Sequence, residues 1–550
     1  MDEIAEAGAA RSAGTTEPAR TTEPEPAATE GEATEVVEIA QGRLRGSVVD
    51  GVHRFLGIPY AAPPFGARRL LPPEPTEGWN GVRDATRLGP EPPQIGPPLP
   101  EEGTARPFTG RDYLNLNVWT PDPDAAGLPV MVWIQGGMFE ISSTAAYNGA
   151  RFARDGVVCV TLNWRVGADG FLYLGDSVAN VGLLDQVAAL RWVHDNVASF
   201  GGDPANVTIF GESAGAMSIG TLLAMPAAEG LFRRAIAESG AAHHVIEADT
   251  ARRIGGYLAE RLGVAPTREA IAAVPLERLL RAESELDAAL LSDPDPDRWG
   301  QDVLTSVMLW QPVVDGTVLP ARPIDLIAAG ASATVDLIVG TNTEDWRLMR
   351  VVSGDVDRVT DEMLTGPVKE HGYLSLAAYG LPVETALDAY RSHYPGSSPG
   401  DLLAAVETDW WMRIPAIRLA EAHVRAQAGR THKAGTYMYE FAWPSPAFDG
   451  RLGAIHALEI PFVFDTLDPV AASVGAPGLL TTLLAPLLGT DPPAELAETM
   501  HRAWVDFAGK GDPGWPSYDL HTRSTMRFDA LSQVVDDPRA WERALWEGVR

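Results

Sequence analysis

The stretch that most constrains this chain is Gly211-Glu212-Ser213-Ala214-Gly215, set between an apolar β-rich run at 206–210 and a helical run at 217–223. A serine with glycine two residues to either side, at the junction of strand and helix, implies a turn too sharp for side chains at the flanking positions. Glycine lacks a Cβ and fits there. The turn lifts the serine hydroxyl above the strand and sets the backbone N–H of Ala214 beneath any oxyanion formed on a bound carbonyl. Taken alone the five residues are a weak pattern. Strand before and helix after turn it into the signature of a nucleophile rather than of a structural Gly-Ser turn.

Such a turn needs a sheet around it. β-rich runs at 129–134, 157–163, 206–210 and 335–339 alternate with helical patterns. In one of these, Leu183, Val187, Leu190, Val193 and Val197 fall at helical spacing, and Gly201-Gly202 ends it. This alternation predicts an α/β chain whose mostly parallel central sheet is flanked by helices. Residues 246–300 and 355–430 read as mostly helical insertions. No repeat of about 20–50 residues is present, which excludes solenoids and propellers. In an open sheet the functional groups gather beyond the carboxyl ends of the strands. The first run stops at Gln135-Gly136-Gly137-Met138-Phe139, where small residues let backbone N–H groups turn toward a substrate oxygen. Losing one such donor costs about 3–4 kcal/mol of transition-state stabilisation.

Residues 1–35, built of Ala, Thr, Glu, Pro and Gly, set acids from Asp2 to Glu35 against Arg11 and Arg20 alone. Too little apolar surface is available there to offset the ordering entropy, so an acidic disordered tail is expected, with one domain over 36–550. The opening residues show neither a basic leader nor an apolar run, so no signal peptide is expected. No transmembrane helix is expected either. With 74 acids against 43 lysines and arginines the formal charge is −31, which repels phosphate backbones and anionic lipid. Nucleic-acid and membrane partners are therefore excluded. Cys159 is the sole cysteine, so no intramolecular disulfide forms and a cytoplasmic location is expected.

With both loops in hand, the chain resembles the type-B carboxylesterases, the group that includes bacterial para-nitrobenzyl esterases and the cholinesterases. The resemblance covers roughly residues 36–515. It rests on Phe-Leu-Gly-Ile-Pro-Tyr-Ala-Ala-Pro-Pro at 55–64, Leu-Asn-Leu-Asn-Val-Trp-Thr-Pro at 114–121, the helix at 182–192 and Phe-Gly-Gly-Asp-Pro at 200–204. Residues 206–215 and His-Ala-Leu-Glu-Ile-Pro-Phe at 456–462 complete it. It implies an α/β-hydrolase fold with helical insertions, a Ser–His–acid triad, and hydrolysis of small-molecule carboxylic esters through an acyl-enzyme on Ser213. Neither cofactor nor metal is implied, and no oligomeric state follows. Position by position, the implied oxyanion donors are Gly137, Met138 and Ala214. Two departures stand out: Gln135 replaces the usual His before the glycines, and Met138 stands at a position usually Gly or Ala. A backbone N–H survives at Met138, while its side chain is expected to narrow or redirect the pocket. Tyr113 stands where the family often has a cysteine.

Triad order in this fold is serine, acid, histidine. The acid should lie beyond a later strand, in 340–346, and alignment on Trp346 selects Asp345, with Glu344 as the alternative. The family's usual residue is Glu, so Asp345 is expected to reach further toward the imidazole. Among the 11 histidines, order removes His53, His194, His243 and His244. His371, His393, His423, His432, His501 and His521 are expected at the surface. His456 follows the β-rich run 436–441 and a Pro/Gly-rich loop, and the family's His-Ala-Leu-Glu-Ile-Pro pattern selects it. Ser239 resembles a serine that supports the triad, or is a turn serine. Glu212 tunes the site, or forms a buried ion pair. His243-His244 read as pocket-wall or packing residues, since neighbours on a strand point opposite ways and no metal-ligand cluster accompanies them, and Trp410-Trp411 read as core rather than as a substrate stack. Two alternative functions remain: carbamate or aryl-amide hydrolysis by the same groups, and a non-catalytic scaffold, which in this family typically lacks the serine.

Overall fold

Alternate residues of Val-Met-Val-Trp-Ile at 130–134 fall into two separate apolar clusters. Val130, Val132 and Ile134 pack with Ile209, while Met131 and Trp133 pack with Phe210 and Ile236. A strand whose side chains point alternately to two dry faces lies in a sheet covered on both sides. The computed structural model describes residues 32–94, 110–431, 433–468 and 479–550. Residues 1–31 of the expected acidic tail lie outside that set, and the first strand starts at Glu32, ahead of the expected Val36.

The strands in chain order are β1 (Glu32–Ile39), β2 (Gly42–Val49), β3 (Val52–Pro59), β4 (Val82–Asp84) and β5 (Asn115–Thr120). Next come β6 (Leu128–Ile134), β7 (Val158–Leu162), β8 (Gly202–Glu212), β9 (Arg234–Glu238), β10 (Ile246–Glu247) and β11 (Val313–Val314). The last are β12 (Asp336–Asn342), β13 (Thr436–Phe441), β14 (Ser524–Phe528) and β15 (Gln533–Asp536). All but β10 and β11 form one 13-stranded sheet ordered β1-β2-β3-β5-β7-β6-β8-β9-β12-β13-β14-β15, with β4 on β2. From β7 through β14 every pairing is parallel. The flanks are antiparallel, β1-β2-β3-β5-β7 at one side and β14-β15 at the other. The fold is that of the α/β-hydrolases.

The helix Val181–Asn196 connects β7 to β8, as its apolar spacing requires, and Ala214–Leu222 leaves the end of β8. On the opposite face the helix Ala494–Lys510 buries Met500, Trp504 and Phe507. The first helical stretch holds Ala248–Leu262 and Leu276–Ser292. The second holds Val383–His393, Pro399–Thr408 and Ile414–Ala426, the last two joined by a π-helical turn at Asp409–Arg413. Among the described residues no helix is long and apolar enough to cross a membrane.

Register decides where chemistry can sit. Ile134 pairs with Gly211, Glu212 with Glu238, Gly340 with Glu238, and Asn342 with Phe441. The carboxyl ends of β6, β8, β9, β12 and β13 therefore share one edge of the sheet, and the loops that leave them meet.

Candidate active site

Ser213 sits in that edge with φ 57° and ψ −124°, a left-handed conformation costly for a residue with a Cβ. Its N–H donates to the carbonyl of Glu238 on β9, and its carbonyl accepts from Met217, at 2.9 Å each. The glycines are needed for a reason beyond the local turn. A Cβ on Gly215 would stand 1.9 Å from the Ile134 carbonyl oxygen at the end of β6, and one on Gly211 would stand 2.3 Å from the same atom. Crowding thus comes mainly from the neighbouring strand rather than from the two glycines pressing on each other.

Gly136 is the second residue of the loop after β6, and a Cβ there would lie 2.8 Å from that of Ser213. Gly137 has φ 124°, and Met138 and Phe139 follow at 53° and 61°. Two successive non-glycine residues in the left-handed region need external support. The Gly137 carbonyl accepts from both Glu140 and Ile141 at 2.9 Å, the Phe139 carbonyl accepts from Gly167 at 2.7 Å, and the Phe139 ring is fully buried. The backbone N–H groups of Gly137, Met138 and Ala214 find no acceptor among the described residues. The Met138 side chain is half-buried against the larger core cluster. Gln135 is buried, and its Nε2 donates to Ser142 Oγ at 2.7 Å, which anchors the loop from within.

His456 and Asp345 complete the arrangement. Imidazole Nε2 lies 2.9 Å from Ser213 Oγ, and Nδ1 lies 2.9 Å from Asp345 Oδ1. The other Asp345 oxygen accepts from Ser239 Oγ at 3.0 Å and from the Asn342 N–H at 2.9 Å, and the carboxylate is fully buried. The shorter Asp has no gap to bridge, because the acid and base loops are paired through their backbones. His456 N–H donates to the Asp345 carbonyl, and Glu344 N–H donates to that of Ala454, at 3.0 Å each. Glu344 itself turns to the Ala454 N–H, at 2.9 Å. An imidazole held this way presents an Nε2 lone pair to a hydroxyl, the geometry for proton abstraction.

Glu212 Oε1 lies 3.1 Å from His456 Nε2. Burial pulls the imidazole pKa down, but the Glu212 charge and the Asp345 bond outweigh it and push it up to about 9. Burial likewise pushes Glu212 up to about 7, with His456 opposing. Two more buried carboxyls stand behind them. Glu459 accepts from Asn342 Nδ2 at 2.5 Å, and Glu238 accepts from Trp504 Nε1 at 2.8 Å. Burial raises both well above the usual carboxylate range. Neither was singled out from sequence, although Glu459 lies within the His-Ala-Leu-Glu-Ile-Pro stretch. Asn342 Nδ2 also donates to Ile455 at 2.7 Å, so it ties β12 to the His456 loop.

Of the histidines expected at the surface, His423 and His501 are buried instead. Each lies on the core-facing side of its helix. His423 Nδ1 is 2.8 Å from Thr436 Oγ1, and His501 spans the Val463 carbonyl and Asp155 at 2.7 and 3.0 Å. His432 lies outside the described residues. His243 and His244 occupy the loop between β9 and β10 rather than a strand. Among the described residues no group of His, Cys, Asp and Glu is placed to hold a metal ion.

The sequence model of the Carboxylesterase family matches residues 33–545. A para-nitrobenzyl esterase of Bacillus subtilis (strain 168) is 36% identical over 522 residues, covering 92% of this chain and 98% of that protein. Carboxylesterase 1D of Mus musculus is 32% identical, with 94% and 93% covered. A crystal structure of a Geobacillus stearothermophilus carboxylesterase at pH 6.2 superposes with a TM-score of 0.76 at 36% identity, covering 93% of this chain and 99% of that one.

Proposed function

The chain belongs to the carboxylesterase family and is a carboxylic-ester hydrolase, and on that premise we propose that Ser213, His456 and Asp345 carry the reaction. The observation that supports this assignment is the unbroken hydrogen-bonded series Asp345–His456–Ser213, 2.9 Å at each link. Asp345, itself fixed by Ser239 and Asn342, keeps the imidazole proton on Nδ1 and leaves Nε2 free to accept. His456 takes the Ser213 proton as Oγ attacks the ester carbonyl. The oxyanion is received by the N–H groups of Gly137, Met138 and Ala214, whose lack of other acceptors favours that role. The imidazolium then gives its proton to the leaving alcohol oxygen, and the C–O bond breaks to leave an acyl-Ser213. Water, deprotonated by His456, attacks the acyl carbon, and the imidazolium returns that proton to Oγ as the bond from Oγ to the acyl carbon breaks and the acid departs. Glu212, beside Nε2, stabilises the imidazolium of both halves.

The substrate class is small to medium carboxylic esters, and residues 36–550 act as one catalytic domain. Relatives named as esterases favour ester hydrolysis over the scaffold reading. The lone, buried thiol of Cys159 suits a reducing, cytoplasmic home. Ser213→Ala tests the assignment: turnover of a p-nitrophenyl ester should fall by roughly 10⁴–10⁶ while circular dichroism stays unchanged. Turnover near that of the native enzyme would refute it.

A further inference from the structure

His244, which the proposed mechanism does not use, lies in the loop that begins at Ser239, the residue whose hydroxyl holds Asp345. Its ring is stacked on Trp411, 4.9 Å between centroids and 20° between planes. Trp411 is stacked in turn on Trp346 at 4.1 Å and 16°. Trp346 directly follows Asp345, and its ring centre lies 6.4 Å from that of His456. At the other end of this series sits Arg550. Its guanidinium carbon is 3.6 Å from the centroid of the Trp410 ring, and Nη2 is 3.4 Å from His244 Nε2. Trp410 meets Trp411 and His244 edge to face, at 5.5 and 5.6 Å. The π-helical turn Asp409–Arg413 carries Trp410 and Trp411 side by side against this loop, an insertion that often marks functional positions.

A guanidinium donates and cannot accept, so its bond to His244 makes Nε2 the acceptor and places the ring proton on Nδ1. Burial and the Arg550 charge together keep that imidazole neutral. Arg550, half-buried at this position, is itself held down to about 9 by burial and by Arg322, so its charge is costly there. Its return is the ring face and the lone pair it engages. Planar guanidinium satisfies both at once, which an ammonium does not.

We propose that Arg550 is a positioning residue for ester hydrolysis: its guanidinium clamps Trp410 and His244 and so holds the Trp411–Trp346 stack against the Asp345–His456 pair. The clamp rests on the triad reading above, and its test separates the two. Competent Ser213 is first counted by stoichiometric titration with an organophosphate, and kcat and KM are then measured per competent site. Arg550→Ala should titrate fully, keep its KM, and lose about fivefold or more in kcat. Millimolar methylguanidinium should restore that kcat saturably, and should leave the native enzyme and the double variant Arg550→Ala/Trp410→Ala unchanged. Arg550→Lys should recover only part of the loss. A kcat within about twofold of native in Arg550→Ala would overturn the clamp. So would a per-site loss that methylguanidinium does not restore, or a loss of total activity that disappears once it is divided by the titrated sites, because the latter is plain unfolding. Should Arg550→Ala fail to fold, Arg550→Lys decides alone: native kcat overturns the proposal, and a lowered kcat with full titration supports it. Failure of the native enzyme to titrate at all would instead refute Ser213 as nucleophile.

Discussion

Glu212→Gln removes one charge from beside the His456 ring while preserving the shape of the side chain. The carboxylate oxygen lies 3.1 Å from Nε2, and both side chains are almost fully buried, so solvent screens the pair little. Two unit charges at that distance in an effective dielectric of about 20 interact by about 5 kcal/mol. The imidazole stands up at about 9 against an ordinary 6.5 despite burial, a net preference of roughly 3–4 kcal/mol for the imidazolium. Glu212 and Asp345 supply this together, and the two titrations at Glu212 and His456 belong to the pair. Without Glu212, Asp345 and the weaker influence of Glu459 remain, and the imidazole pKa should fall by about one unit or more. The sign follows from the chemistry. His456 acts as base only when neutral, so kcat/KM rises with pH through this titration and is lost as pH falls through it. In Glu212→Gln the rise moves to lower pH. Its plateau also drops, by roughly tenfold, since the transition-state imidazolium has lost a partner. The assay is kcat/KM for a neutral p-nitrophenyl ester from about pH 5 to 10 at constant ionic strength. An unmoved midpoint, or one displaced upward, would refute the coupling.

Asp345→Asn should cost about 10⁴ in kcat with the fold intact, whereas Glu344→Gln, whose carboxylate serves the Ala454 N–H, should cost less than about tenfold. Steady-state kinetics of the two variants side by side would expose the opposite ranking, which would transfer the acid role to Glu344. Ser239→Ala takes one of three donors from a buried carboxylate, so it should lower kcat by about tenfold and unfolding stability by about 1–3 kcal/mol. Urea denaturation followed by tryptophan fluorescence measures the second effect, and native stability would show that the Ser239 bond carries no weight.

Local pattern carried much of this far. The runs at 129–134, 206–210 and 335–339 are β6, β8 and most of β12, and their Gly-rich stops are the loops that meet at Ser213. The helix 183–197 was legible because four of the five apolar residues at helical spacing line one side of Val181–Asn196, and Val197 follows in a short 3-10 turn. What escaped depends on contacts between distant segments. Gly215 is forced by a carbonyl on β6, which no inspection of the turn reveals. Glu238 and Glu459 look like ordinary acids until the fold surrounds them with other buried carboxyls. His423 and His501 have polar neighbours in sequence, yet each falls on the buried face of an amphipathic helix, beside Leu419 and Ala420 in one and Met500 and Trp504 in the other. The acid loop reaches the base loop through two backbone hydrogen bonds, so side-chain length was a poor guide to reach.

The account turns on Ser213 being the atom that bonds to substrate. Incubation of the folded protein with an organophosphate, followed by peptide mass spectrometry, tests this directly. The account predicts one phosphoryl adduct per chain, located on Ser213, with ester turnover falling in proportion to it and no adduct in Ser213→Ala. Full turnover with Ser213 unmodified, or an adduct at another residue that tracks the loss of activity, would contradict it.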